Sequence, residues 1–187
     1  LMYEGSVGIP MILVGTAKET SLVGRTDDRL VGLQDIMPTL LEMCSIAVPP
    51  TCEGRSMLNG PRRKTLYCES LIGKKATRMI HDGRHKLVWY PAGNLVQLFD
   101  IALDANEQND LAGDPAFTEV RAKLTDALVA ERGELYGADL EWVRNGNLVG
   151  VPDSPDDAAP NRGLSGQRGF HYPPLAPTDP AKVVGAG

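Results

Sequence analysis

The chain has 187 residues, 42% hydrophobic and 23% charged, with a formal net charge of -5 and a pI near 5.2. That balance suits a globular protein with a real core. It excludes a nucleic-acid footprint, because no Lys/Arg run exceeds Arg62-Arg63-Lys64, and no apolar run nears the roughly 18 residues that span a bilayer.

The first residues, Leu1-Met2-Tyr3-Glu4-Gly5-Ser6, carry no charged region followed by an apolar one, so no signal peptide is visible. They read as the interior of a larger parent protein, whose compartment is left open between cytoplasm and periplasm. The run Ile9-Pro10-Met11-Ile12-Leu13-Val14, ended by Gly15, suits a strand buried on both faces inside a parallel sheet. Few later segments look like its parallel partners. Residues 16–30 are polar and read as a surface excursion.

A helix is expected next. Pro38 fits its first turn, and Ile36, Leu40, Leu41 and Cys44 recur at helical spacing, predicting one buried face. Pro49-Pro50 stops any continuation. Thr65-Leu66-Tyr67-Cys68 reads as a strand. Residues 77–81 and 84–90 flank Asp82-Gly83, a strong hairpin signal because a type I′ turn needs positive φ at both centres. Pro91-Ala92-Gly93-Asn94 is a second turn, and Leu95 to Phe99 is a further strand, which makes an antiparallel meander. A second helix is predicted over residues 115–132. Asp114 is its N-cap, Phe117, Val120, Leu124 and Leu128 its apolar stripe, and Gly133 its stop. Beyond Asn145 the composition shifts: seven of fourteen prolines and seven of twenty glycines fall there. This tail is expected to wrap the body or a neighbouring subunit through Val149, Val151, Leu164, Phe170, Tyr172 and Leu175, which allows a homo-oligomer.

Several motifs invite a chemical reading and resist it. His81 and His85 lie near one turn, but side chains alternate along strands, so the two rings are expected on opposite faces and share no metal. Asp104-Ala105-Asn106-Glu107-Gln108 lacks the glycine at its sixth position and the terminal acid of a calcium loop; it reads as an acidic surface loop. Gly163, Gly166 and Gly169 do not form a phosphate cradle, and His171 reads as packing or solvent-facing. Three cysteines, Cys44, Cys52 and Cys68, allow at most one disulfide and contain no CxxC pair, which favours a reducing compartment. No GxSxG elbow and no Walker loop occur. No residue is therefore assigned to catalysis or metal binding, and none to substrate binding.

Five segments, taken in order, resemble the type I sulfatases of the alkaline phosphatase superfamily. They are Tyr3-Glu4 leading to Ile9-Pro10, Gln34-Asp35-Ile36-Met37-Pro38-Thr39-Leu40-Leu41, Glu53-Gly54-Arg55-Ser56, the hairpin from Arg78 to Tyr90, and Leu98-Phe99-Asp100 through Glu107-Gln108-Asn109-Asp110-Leu111. Gly8 stands where many members carry a basic residue, Glu53 replaces the usual Asp, and Asp104-Ala105 replaces Asp-Pro. The resemblance implies an α/β parent fold, of which this chain is the C-terminal α+β part: a small antiparallel sheet with a packed helix and a long irregular tail. Residues 1–60 would hold the last strand and helix of the large domain, 61–144 the C-terminal antiparallel subdomain, and 145–187 the wrapping tail. The resemblance further implies a parent that cleaves sulfate esters of a small molecule or glycan through a formylglycine and a calcium ion. No Cys or Ser here begins the C/S-x-P-x-R motif that yields formylglycine, so the chain alone is expected to be inactive and to have the upstream polypeptide as its partner. The alternatives are a phosphonate or phosphate ester hydrolase of the same superfamily and a non-catalytic packing or oligomerisation module.

Overall fold

A computed structural model describes residues 2–14, 24, 26–70, 77–135 and 143–150. The tail positions Val151, Leu164, Phe170, Tyr172 and Leu175, the glycines Gly163, Gly166 and Gly169, His171, and any oligomer contact through the tail lie outside the described residues. The described residues fall into two compact units, one drawn from Leu1–Ile9 and Tyr67–Gly187, the other from Pro10–Leu66.

The first unit is a four-stranded sheet in the order β1 (Leu66–Ser70), β2 (Thr77–His81), β3 (His85–Tyr90), β4 (Leu95–Asp100). β2, β3 and β4 pair antiparallel in sequence, giving the expected meander. Strand alternation sends two sets of side chains to opposite faces. On one face Ile80, Leu87, Trp89 and Leu98 meet Leu124 and Leu128 of a long helix. On the other, Met79, Val88, Tyr90 and Phe99 meet Met2, with Tyr3 and Val7 packed alongside. A strap from the start of the chain, including the single helical turn α1 (Glu4–Val7), thus covers the face that the long helix leaves open. Both faces being covered explains why Lys86 to Tyr90 are all buried rather than alternately so.

The hairpin turn is two residues wider than a two-residue Asp82-Gly83 turn, which would pair His81 with Arg84, and only Gly83 of the two is at positive φ. His81 pairs with Lys86 and Ile80 with Leu87, because Asp82 Oδ1 accepts from the amides of both Arg84 and His85 and so widens the turn. The parity is unchanged, so His81 and His85 still face opposite sides. The second turn closes through Asn94 N–H to the Pro91 carbonyl, with Gly93 and Asn94 at positive φ.

Asp114 caps as expected: its side chain accepts from Ala116 N at 2.9 Å and opens a 3-10 turn over Pro115–Phe117. This turn feeds α3 (Thr118–Leu135), which runs past Gly133 rather than stopping there. Glycine costs about 1 kcal/mol in a helix but does not by itself end one. A two-stranded ribbon, β5 (Val143–Arg144) with β6 (Asn147–Leu148), turns at Asn145-Gly146, both at positive φ. The Asn-Gly pair carries the signal that would have found it.

The second unit differs more from expectation. Residues 10–14 form no strand, nor does Ile9 before them in the first unit; Ile9, Met11, Ile12 and Val14 are exposed. No partner strand lies beside them among the described residues, and an apolar run without one gains nothing by extending. A 3-10 turn, Leu33–Asp35, leads into α2 (Ile36–Met43), which ends at a left-handed Ser45 before the prolines are reached. The face expected to be buried is the open one: Ile36, Leu40 and Cys44 are exposed and Leu41 half-buried, while Pro38 and Thr39 are buried. Periodicity correctly marked an apolar face, but within this unit it is the opposite side, through Pro38 and Thr39, that is held, against Gly54 and Met57.

Candidate functional site

The side chains with the most constrained polar contacts form two clamps, one in each unit. In the Pro10–Leu66 unit the centre is Asp35, fully buried. Its Oδ1 accepts from Arg55 N at 2.7 Å and Arg63 Nη2 at 2.6 Å; its Oδ2 accepts from Gly32 N at 2.8 Å and from Arg63 Nη1. One helical turn on, Thr39 Oγ1 donates to the Asp35 carbonyl at 2.5 Å and accepts from Met57 N at 2.9 Å. Gly54 passes so close to the Gln34 carbonyl oxygen that a Cβ there would overlap it. Burial pushes the Asp35 carboxyl up, but the Arg63 guanidinium and the Arg55 and Gly32 amides outweigh it and hold the carboxyl below its ordinary range. The clamp thus fastens Glu53-Gly54-Arg55-Ser56 across the start of α2.

In the sheet unit the centre is Lys86, fully buried on the strap face. Its Nζ lies 2.8 Å from Glu4 Oε1 and 2.6 Å from Glu107 Oε1, and Glu107 Oε2 accepts from Glu4 N at 2.5 Å. Tyr3 Oη and Tyr90 Oη both donate to Gln97 Oε1, at 2.8 and 3.1 Å. Asp104–Gln108 is a surface loop as expected, with Ala105, Asn106 and Gln108 exposed, except that Glu107 is buried at positive φ. Its inward carboxylate gives the buried Lys86 a second counterion beside the partly exposed Glu4. Burial pushes the Glu107 carboxyl up, and Lys86 and the Glu4 amide pull against it. The signal for this cluster was present: Lys86 shares the strap-facing parity of Val88 and Tyr90, and a lysine at such a position requires carboxylates.

Smaller contacts complete the pattern. Arg78, almost fully buried, pairs with Glu69 at 3.1 Å. Asp100 accepts from Arg84 at 2.7 and 3.0 Å. Asp110 Oδ1 accepts from Leu98 N and Ala112 N and finishes the open edge of β4. His85 stacks edge-on against Phe117 on the helix face, while His81 sits on the strap face with Nδ1 accepting from Gly83 N. The structure therefore keeps the two histidines apart. Among the described residues no group of three His, Cys, Asp or Glu side chains could hold a metal ion, and no helix is long and apolar enough to cross a membrane. The three cysteines are free thiols. What these clamps do is fasten segments distant in sequence; none presents a nucleophile beside a base.

Residues 1–134 match the family described as "N-sulphoglucosamine sulphohydrolase, C-terminal". The chain is 29% identical over 161 residues to an arylsulfatase of Clostridium perfringens, covering 81% of this chain and 33% of that one. It is 29% identical over 144 residues to mouse arylsulfatase K, covering 68% and 25%. It is 30% identical over 115 residues to a Delta 4,5-hexuronate-2-O-sulfatase of Bacteroides thetaiotaomicron, covering 54% and 24%. Among solved structures, the 2-O GAG sulfatase BT1596 superposes with a TM-score of 0.54 at 23% identity, over 73% of this chain and 30% of that chain. The chain thus spans between a quarter and a third of the length of these curated relatives.

Proposed function

Because this chain belongs to the N-sulphoglucosamine sulphohydrolase C-terminal family, and is the C-terminal portion of a type I sulfatase, we propose that it serves a sulfate-ester hydrolase by packing against the polypeptide that carries the chemistry. In this reading residues from about 10 to 60 belong to the large α/β domain, and the antiparallel sheet, with the strap that packs on it, to the C-terminal subdomain. The observation that carries the proposal is the surface of the Pro10–Leu66 unit. Met11, Ile12, Val14, Leu33, Ile36, Met37, Leu40, Ile46 and Val48 are all exposed there, Ile12 and Val14 at 83%. Covering one such side chain stabilises by about 1.5–3 kcal/mol, so an unmet surface of this size favours a partner strongly. The partner is the upstream part of the same polypeptide, whose apolar sheet would take residues 9–14 as a strand and the open face of α2 as a covering helix.

Calcium and formylglycine belong to that upstream part. The residues present do not fit either group: no C/S-x-P-x-R motif occurs in the sequence, and the described residues hold no metal-binding cluster. No catalytic step is assigned to this chain. Sulfuryl transfer places negative charge on the sulfate oxygens, which demands a cation and basic side chains around them, and the buried clamps offer none to a substrate. The substrate class stays at sulfate esters, since the relatives' names range from aryl to hexuronate sulfates.

The test is the polypeptide encoded before Leu1, read together with the intact mass of the mature protein. A C/S-x-P-x-R motif and acidic metal ligands upstream, in one mass, support the reading. A mature protein of this chain alone would overturn it.

A further inference from the structure

The strap is fastened by charges that include a titratable neighbour. His81 pairs across the hairpin with Lys86, so both side chains occupy the strap face. The charges that reach the imidazole are those of Glu4 on the strap and Asp82 of the turn, which favour its charging, and those of Lys86 on the same face and His85 on the other face of β3, which oppose it, with Glu107 of the following loop on the far side of Lys86. Nδ1 already accepts the Gly83 amide at 3.1 Å, so the neutral ring carries its proton on Nε2, which is buried with no hydrogen-bond partner among the described residues. A second proton can enter only at Nδ1. It would displace the Gly83 amide and set a second cation beside the buried Lys86 ammonium.

We propose that His81 makes the attachment of the strap Met2–Val7 acid-sensitive, a latch closed at neutral pH and loosened as the imidazole charges. Once the strap lifts, water reaches His81 and its ring regains an ordinary affinity for protons. Burial holds that affinity lower while the strap is down. The lifted state therefore binds more protons below about pH 6.5, and falling pH favours it. Glu107 acts in the opposite sense, because burial raises its affinity for a proton in the closed state. The His81 contribution is isolated by comparison with variants that cannot titrate.

Hydrogen exchange of the intact chain, corrected for the intrinsic pH dependence of amide exchange, reads this directly. The reporters are the strap amides of Glu4, Ser6, Val7 and Gly8, which bond to Glu107 or within the turn. Between pH 7.5 and 5.5 their protection is expected to fall about five- to tenfold, the limit set by one histidine titrating near 6.5. The β3 and β4 amides should hold theirs. In His81→Asn, which keeps an acceptor for Gly83, and in His81→Gln, the fall should shrink below about twofold. Two variants guard against one that misfolds, with β3 and β4 protection as the check. Equal strap protection at both pH values, an undiminished fall in the variants, or loss of β3 protection together with the strap would each overturn the proposal.

Discussion

The Asp35 carboxylate accepts four hydrogen bonds while fully excluded from water, two of them from the Arg63 guanidinium. Removing its charge strands Arg63, whose side chain is only 10% exposed. Breaking a buried pair from one side costs about 3–5 kcal/mol. Asp35→Asn should therefore lower the urea midpoint of the Pro10–Leu66 unit strongly, followed by the exchange of the Arg55 and Met57 amides. The pH dependence has a definite sign. A carboxyl held below its ordinary value contributes stability that is present above the unfolded value, near 3.8, and lost as pH falls through the lower folded one. The Arg55 amide should thus keep its protection from pH 8 down to about 5 and lose it only below about 4. Gly54→Ala acts on the same clamp by steric means. Its new Cβ would collide with backbone rather than with a flexible side chain, so the turn must move off α2 and the Met57 amide should exchange faster.

At the scale of elements, the sheet unit is secured on both sides. Leu124 and Leu128 are fully buried against Ile80, Leu87, Trp89 and Leu98. Leu124→Ala should cost about 2–5 kcal/mol in denaturant unfolding. On the other face Lys86→Met removes the cation between two carboxylates and should cost about 3–5 kcal/mol. Adding Glu4→Gln and Glu107→Gln should recover a substantial part, because the penalty lies in the stranded charges. Local signals made much of this unit readable. Asp82-Gly83 marked the hairpin and Asp114-Pro115 the helix start, and the spacing of Phe117, Val120, Leu124 and Leu128 marked the buried stripe. The strap was not readable, since nothing local to Tyr3-Glu4 says that it crosses 82 residues of sequence to reach Lys86. The burial of α2 was misread for a related reason. Its pattern says which face favours an apolar neighbour and is silent on whether that neighbour belongs to these residues. Each of the five family-like segments supplies a fastening contact, through Tyr3, Glu4, Asp35, Thr39, Gly54, Arg78, Lys86, Asp100 and Asp110.

For the whole molecule, the exposed apolar side chains of the Pro10–Leu66 unit and the buried clamps tell one story. The clamps hold each unit in shape, and the exposed apolar surface is what the proposed upstream polypeptide would cover. Leu40→Asp and Ile12→Asp should therefore reduce self-association and apolar-dye binding of the isolated chain while leaving the sheet unit's unfolding midpoint within about 0.5 kcal/mol of its starting stability. In the joined parent the same changes should be destabilising, which a thermal scan would register. The most direct measurement is turnover of an aryl sulfate in the presence of calcium, made on this chain alone and on the chain joined to its upstream polypeptide. Release of the aryl alcohol by the joined protein, with none above background by the chain alone, is the expected result. Genuine turnover by the 187 residues alone would contradict it.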